Sequence, residues 1–369
     1  MANDLTELRV LYGDREVGRM REESGNIYFA YSMEWITNGF SISPRSLPLT
    51  DRVFRAKDDR FDGLFGVFSD SLPDGWGILT AIRALKRKGI SYTELGPMTR
   101  LTLIGKDGLG ALRYEPSDPM ESADTKVDLD EMCGQCISIL DDEDVEDIDR
   151  IFSMAGSTGG TRPKINLSMD GEEWMVKFRE RRDAKDSGRI EYEYNLAARE
   201  CGIEIPEVRL LPSNECDGYF AAKRFDRDHG RRVHMITLGG LLEVPRTMPL
   251  LDYHTFLQAT GFITQSQEEV IKAFRLACFN VLSGNRDDHS KNFAYLFSTA
   301  KGRYVLSPAY DLTPTPDIKE HEMSCMGEEN PGMEELRSLA DAMNISRIRY
   351  ERIIADVDAT VRKRLSEWL

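Results

Sequence analysis

The sequence predicts an α+β protein of two lobes, a β-rich one followed by a helical one, with an additional β-containing segment at the N-terminus. Three observations lead there. Alternation of apolar and polar residues prevails up to residue 222, helical periodicity prevails after Phe225, and a stretch rich in Asp, Glu, Ser and Pro over 116–149 interrupts the first half.

Leu8, Val10 and Tyr12 alternate with polar residues, Gly13-Asp14 supplies a turn, and Ile27, Phe29 and Tyr31 alternate again, so both runs read as strands. Over 75–88 the pattern turns helical, with Ile78, Ala81, Ile82 and Leu85 on one face. Residues 101–114 read as a glycine-punctuated hairpin ending at Pro116. Its Gly105-x-x-Gly108-x-Gly110 is a tight turn rather than a phosphate loop, because no helix start follows it. The 116–149 stretch is the best boundary, and its Asp141-Asp142-Glu143-Asp144 run reads as a solvated segment. Strands follow over 164–167 and 173–178, joined by a Met169-Asp170-Gly171-Glu172 turn. A helix over 189–201 sets Ile190, Tyr194, Ala197 and Cys201 on one face and stops at Gly202. Strands return over 208–211 and 219–222. Wide apolar stripes then mark helices over 270–281 and at the C-terminus, the latter running from Ile348 through Ile353, Ile354, Val357, Val361 and Leu365. The chain thus divides into 1–118, 119–222 and 223–369, and a cleft is expected between the last two.

Composition narrows the function. Lys and Arg number 48 against 63 Asp and Glu, a net charge of −15, so bulk binding to nucleic acid or anionic lipid gains nothing and any DNA contact is expected through a partner. No run of about 18 apolar residues occurs. Met1-Ala2-Asn3-Asp4 lacks a signal-peptide layout, and a cytoplasmic protein is expected. The six cysteines are too sparse for a disulfide framework, and Cys133-x-x-Cys136, with no second pair, reads as part of a helix. The five histidines form no His-Glu-x-x-His, which argues against a zinc enzyme. Neither Gly-x-Ser-x-Gly nor a helix-opening Gly-x-Gly-x-x-Gly occurs, which argues against a hydrolase elbow and a dinucleotide fold.

The sharpest constellation is Gly284-Asn285-Arg286-Asp287-Asp288-His289-Ser290-Lys291-Asn292, between a helix and the strand 293–297. An acid with an Asn five residues on, leaving a helix, has the spacing of a protein-kinase catalytic loop, where the Asp accepts a hydroxyl proton and the Asn holds magnesium. After a second strand over 303–306 the chain reaches Asp311, which the hairpin returns beside Asn292. One carboxylate and one amide oxygen then converge as hard ligands for Mg²⁺ on ATP phosphates. Upstream, Lys177 in Met175-Val176-Lys177-Phe178 needs a partner if it is buried, and Glu191 at the start of the next helix supplies one, with Glu193 as a rival. Ser157 and Thr158 lie in a Gly/Ser/Thr loop that could cover nucleotide phosphates with backbone N–H groups, or be a surface turn.

In these strings the sequence resembles the HipA family of serine/threonine kinase toxins over nearly its whole length. The resemblance is carried by Ser71-Leu72-Pro73-Asp74-Gly75-Trp76-Gly77, Gly108-Leu109-Gly110-Ala111-Leu112, Ser157-Thr158-Gly159-Gly160-x-Arg162-Pro163-Lys164, Lys223-Arg224-Phe225-Asp226-Arg227, the 285–292 loop and Ser307-Pro308-Ala309-Tyr310-Asp311. It implies a protein-kinase-like fold with an extra N-terminal HipA-type subdomain, using ATP and Mg²⁺. By position it makes Asp287 the catalytic acid/base, Asn292 and Asp311 the magnesium ligands, and Lys177 the phosphate anchor beside Glu191. Residues 222–225, with Ala222, Lys223 and Phe225, become the hinge along which adenine lies, with Tyr310 against the base. Ser157 aligns with an autophosphorylated serine whose modification ejects its loop and switches the kinase off, although Thr158 beside it leaves the modified hydroxyl open. Well-known members phosphorylate glutamyl-tRNA synthetase and arrest growth, and they bind a HipB-like helix-turn-helix antitoxin that carries the DNA contact. Lys223 departs from the acidic residue of those toxins, so only backbone contacts carry over at the hinge. Two other readings stay open: a small-molecule kinase on the same scaffold, and a non-catalytic nucleotide-sensing module that binds an antitoxin.

Overall fold

The computed structural model describes residues 5–57, 59–104, 108–118, 127–157, 159–248 and 251–368. The N-terminal segment builds an antiparallel sheet of β1 (Glu7–Tyr12), β2 (Arg15–Glu23), β3 (Asn26–Tyr31), β4 (Val53–Arg55) and β5 (Leu112–Glu115), in the order β4-β3-β2-β1-β5. Alternation in β1 and β3 puts Leu8, Val10, Ile27 and Phe29 in the core. β2 escapes the alternation pattern because Val17 and Gly18 are buried in succession, next to a register shift at Val10 and Leu11.

The expected hairpin over 101–114 is not formed. Leu101 and Thr102 close a helix, Pro97–Thr102, and β5 pairs with β1 from Leu112 against Tyr12 to Glu115 against Arg9. Burial of Leu112 and Tyr114 at the sheet edge outweighs the local turn. Gly105 lies outside the described residues.

The second sheet, β6 (Lys164–Met169), β7 (Glu172–Lys177), β8 (Val208–Leu211) and β9 (Tyr219–Lys223), runs β6-β7-β9-β8 and is antiparallel throughout. The Ser187–Glu200 helix packs on it. The short pair β10 (Arg227–Asp228) and β11 (Arg231–Arg232) follows, then the sheet of β12 (Met235–Thr237), β13 (Ala294–Ser298) and β14 (Arg303–Leu306). The helical lobe is dominated by Tyr253–Thr264, Gln267–Ser283, Met333–Ala342 and Arg347–Arg364. In the last of these Tyr350, not Ile348, continues the buried stripe, and Ile348 is 87% exposed. Cys133 and Cys136 are buried in the Leu129–Leu140 helix, and the Asp141 to Asp144 run is exposed.

Among the described residues two large buried clusters, beside a small one of Val208, Phe220 and Ala222, hold the molecule together, and the N-terminal segment contributes to both large ones. Its sheet and the short Gly66–Ser69 helix share one with the helical lobe, Phe29 and Phe68 with Phe256 and Phe279. Its Gly75–Arg87 helix shares the other with β6 and β7, Trp76 and Leu85 with Ile165 and Trp174. Among the described residues no helix is long and apolar enough to cross a membrane.

Candidate active site

The site begins with a turn. Asp170 and Gly171 both have positive φ, 56° and 77°, as a tight two-residue hairpin requires, and this fixes the register of β6 on β7 so that Lys164 stands opposite Lys177. Both side chains are buried, which places two cations side by side where like charges repel. Lys177 is balanced by Glu191, 2.5 Å away, and by Asp311. Burial opposes its charge, but the two carboxylates outweigh burial and raise its pKa. Lys164 donates to the Gly159 carbonyl, and burial lowers its pKa. Asp311 is half-buried, and Lys177 and Lys164 hold its carboxyl well below the usual carboxylate range against the desolvation that opposes them. Glu193 pairs with Arg364 at 3.1 Å, so Glu191 is the partner of Lys177.

From the other lobe, the Gln267–Ser283 helix ends at Gly284, whose φ of 70° releases the chain into the 285–292 loop. The Asp287 carboxylate lies 3.2 Å from Arg246, and burial pushes its pKa up to about 6 against the pull of that guanidinium. The amide nitrogen of Asn292 donates to the Asp287 carbonyl at 2.6 Å, so the amide oxygen is left over. Asp288 is consumed internally: Tyr253, His321 and the amides of Glu322 and Met323 all donate to it. His289 accepts from the Lys291 amide at 3.2 Å, a contact within the loop that helps to order it.

The two halves enclose a cavity of about 120 Å³. Asn292, Asp311, Lys164 and Ser157 all line it. Ala222, Lys223 and Phe225 form another wall, and Tyr310 stands against Phe225 with ring centroids 5.4 Å apart. The amides of Lys223 and Arg224 are already bonded to the carbonyls of Glu207 and Glu173, so a bound base would draw on other backbone groups of this wall. Ser157 is no surface turn. It is buried, and its hydroxyl oxygen accepts from the Leu109 amide at 2.6 Å. The Leu109 turn is itself held by Arg224, Arg227 and Arg232, which donate to the Gly108 carbonyl. Thr158 lies outside the described residues.

A carboxylate kept ionised by lysines and an amide oxygen with its nitrogen already engaged suit Mg²⁺, which binds through one or two protein oxygens plus phosphate and water. Two family models match the chain, the HipA N-terminal domain over residues 8–115 and the HipA-like C-terminal domain over 156–365. The chain belongs to the HipA family. A putative kinase of Sinorhizobium fredii, Y4dM, is 29% identical over 167 residues, 41% of this chain and 40% of that protein. A second from the same organism, Y4mE, is 26% identical over 352 residues, 84% of this chain and 78% of its own. A solved structure from Shewanella oneidensis MR-1, HipA with HipB and operator DNA, is 18% identical with a TM-score of 0.72, covering 98% of this chain and 90% of that one. The likeness establishes the expected fold class, a kinase-like α+β architecture with the HipA N-terminal part.

Lys177, Glu191 and Asp287 do not line this HipA-family cavity, whereas Lys164, Asp74 and Lys291 do. Lys164 was within reach of sequence reasoning, because the Asp170-Gly171 turn dictates which residue faces Lys177. Asp74 and Lys291, 3.1 Å apart and 217 residues apart in sequence, carry no local signal of their meeting. Arg246 beside Asp287 carries none either.

Proposed function

We propose that the protein transfers the γ-phosphoryl group of ATP, with Mg²⁺, to a serine or threonine hydroxyl of a protein, and to Ser157 of its own loop. The observation that carries this reading is the in-register pair Lys164 and Lys177, with Lys177 paired to Asp311, beside a cavity that Lys164, Asp311 and Asn292 line. Two buried ammonium groups with one shared carboxylate favour a polyanion. Asn292 and Asp311 would hold the magnesium ion, which supplies neutralisation of phosphate charge when bound. Lys177, fixed by Glu191, anchors the non-transferred phosphates, and Phe225 with Tyr310 offers a stacking wall for the base. Asp287, poised near neutrality, accepts the proton of the attacking hydroxyl as the oxygen–phosphorus bond forms and the bond to the leaving ADP breaks. For Ser157 to react it must first leave the Leu109 amide, so self-modification and an open loop go together.

A HipB-like helix-turn-helix antitoxin is the partner this reading assigns, with DNA bound only through it. The net charge of −15 supports that division of labour. The protein substrate is assigned to the translation machinery, a glutamyl-tRNA synthetase-like factor, and the place of action to the cytoplasm.

The test is incubation with labelled ATP and Mg²⁺, alone and with cell extract, followed by mapping of the label. Label on Ser157 or an extract protein that disappears in Asp287→Asn supports the reading. Transfer confined to a small molecule moves the assignment to a small-molecule kinase, and nucleotide binding without transfer moves it to a sensor.

A further inference from the structure

Helix Gly75–Arg87 starts at a point where three pieces of the molecule meet. On one side it is pressed against the loop that carries Ser157. The Trp76 amide donates to the Gly160 carbonyl at 3.0 Å, and the Trp76 indole N–H donates to the Lys164 carbonyl at 3.0 Å. The contact leaves no room for a side chain, since a Cβ on Gly75 would stand 2.4 Å from the Gly160 oxygen, and Gly75 has a φ of +42°. On the other side the preceding residue, Asp74, reaches into the opposite lobe, its carboxylate 3.1 Å from the Lys291 ammonium. Lys291 immediately precedes Asn292, and its own carbonyl accepts from Tyr310 at 2.6 Å. Both Asp74 and Lys291 line the cavity.

We propose that Asp74, a residue of the N-terminal subdomain, is a positioning residue of the phosphotransfer site: it holds the Lys291 ammonium at the cavity wall beside Asn292, while the same helix start holds the 157–164 loop against the opposite wall. Two catalytic elements from two lobes are thereby set by one rigid point that belongs to neither. The pair is half-shielded from solvent and spans two lobes, so its value lies in geometry more than in stability. Asp70, a half-buried carboxylate in the same cavity, accepts from the Thr237 amide and hydroxyl at 2.7 and 2.8 Å.

This inference rests on the kinase reading, and the full-length chain tests it by two independent routes. In the transfer assay, Asp74→Asn and Lys291→Met are each expected to lower kcat by about 10- to 100-fold while KM for ATP changes by less than about 3-fold. The double variant is expected to be no slower than the slower single, because the two residues act as one unit. Unchanged kcat in Asp74→Asn, or losses that multiply in the double variant, overturns the proposal. In the second route, hydrogen exchange without nucleotide is compared between the wild type and Asp74→Asn. Faster exchange in both the 159–166 and 287–292 segments, with the remainder of the chain unchanged, supports the proposal; a change in only one segment, in neither, or throughout the chain overturns it. A wild type without transfer activity defeats the kinase reading, and the exchange comparison then still decides the positioning role.

Discussion

Lys177 is the side chain whose removal separates chemistry from stability most cleanly. It is buried between Glu191 and Asp311 and forms an ion pair with each. Lys177→Met keeps the length and apolar stem but leaves the buried Glu191 and the half-buried Asp311 without the cation between them. Breaking a buried ion pair from one side costs about 3–5 kcal/mol, and part is recovered if Glu191, whose pKa burial already raises, takes up a proton. Loss of one preorganised cation at developing phosphoryl charge is expected to lower kcat by roughly 10²–10³-fold. Adding Glu191→Gln to Lys177→Met removes the surplus charge, so the double variant is expected to regain thermal stability and remain inactive. Measurement of transfer rate and thermal unfolding on the wild type, the single and the double variant decides it. Wild-type turnover in Lys177→Met, or activity that returns together with stability in the double variant, would refute the assignment of Lys177 as phosphate anchor.

Three further outcomes are expected. His234 is buried with its Nε2 on the Ile42 carbonyl, and burial lowers its pKa to about 4. The unfolded chain binds the proton that the folded one refuses, so stability is full above about pH 6.5 and falls by up to about 3 kcal/mol as pH drops towards 4. His234→Phe should flatten this part of the pH-stability curve while costing about 1–3 kcal/mol at pH 8 for the stranded carbonyl, and an unchanged curve would rule the mechanism out. Replacing Cys133 and Cys136 together by Ala should leave transfer within a few-fold, because both are core residues of the Leu129–Leu140 helix; loss of activity with the fold intact would give them a chemical role. Gly75→Ala forces a Cβ towards the Gly160 oxygen and should speed proteolytic cleavage within the 157–164 loop; equal cleavage rates would show that the contact does not hold the loop.

Local pattern carried much of this molecule. The Met169-Asp170-Gly171-Glu172 turn, the strands on either side of it and the helix bearing Glu191 are all periodic and punctuated, and they appear where periodicity puts them. The spacing of Asp287 and Asn292 was legible because it is fixed within one loop. Periodicity reports only which face of an element is buried, so it could not show that β5 joins β1, nor that Ser157 is clasped by Leu109. Ile348 shows the same limit at a helix start, where one turn of apolar pattern continues past the surface it packs on. Asp74, Lys291 and Arg246 are ordinary charged residues until the topology brings them to the cavity.

The N-terminal segment is anchored in both buried clusters, its sheet in the helical lobe's and its Gly75–Arg87 helix in that of β6 and β7. A splint fastened at both ends resists the hinge rotation by which two-lobed enzymes usually breathe. Entry and exit of a nucleotide would then fall to short loops at the rim, and the stiffness of the whole would be set by a part that performs no chemistry.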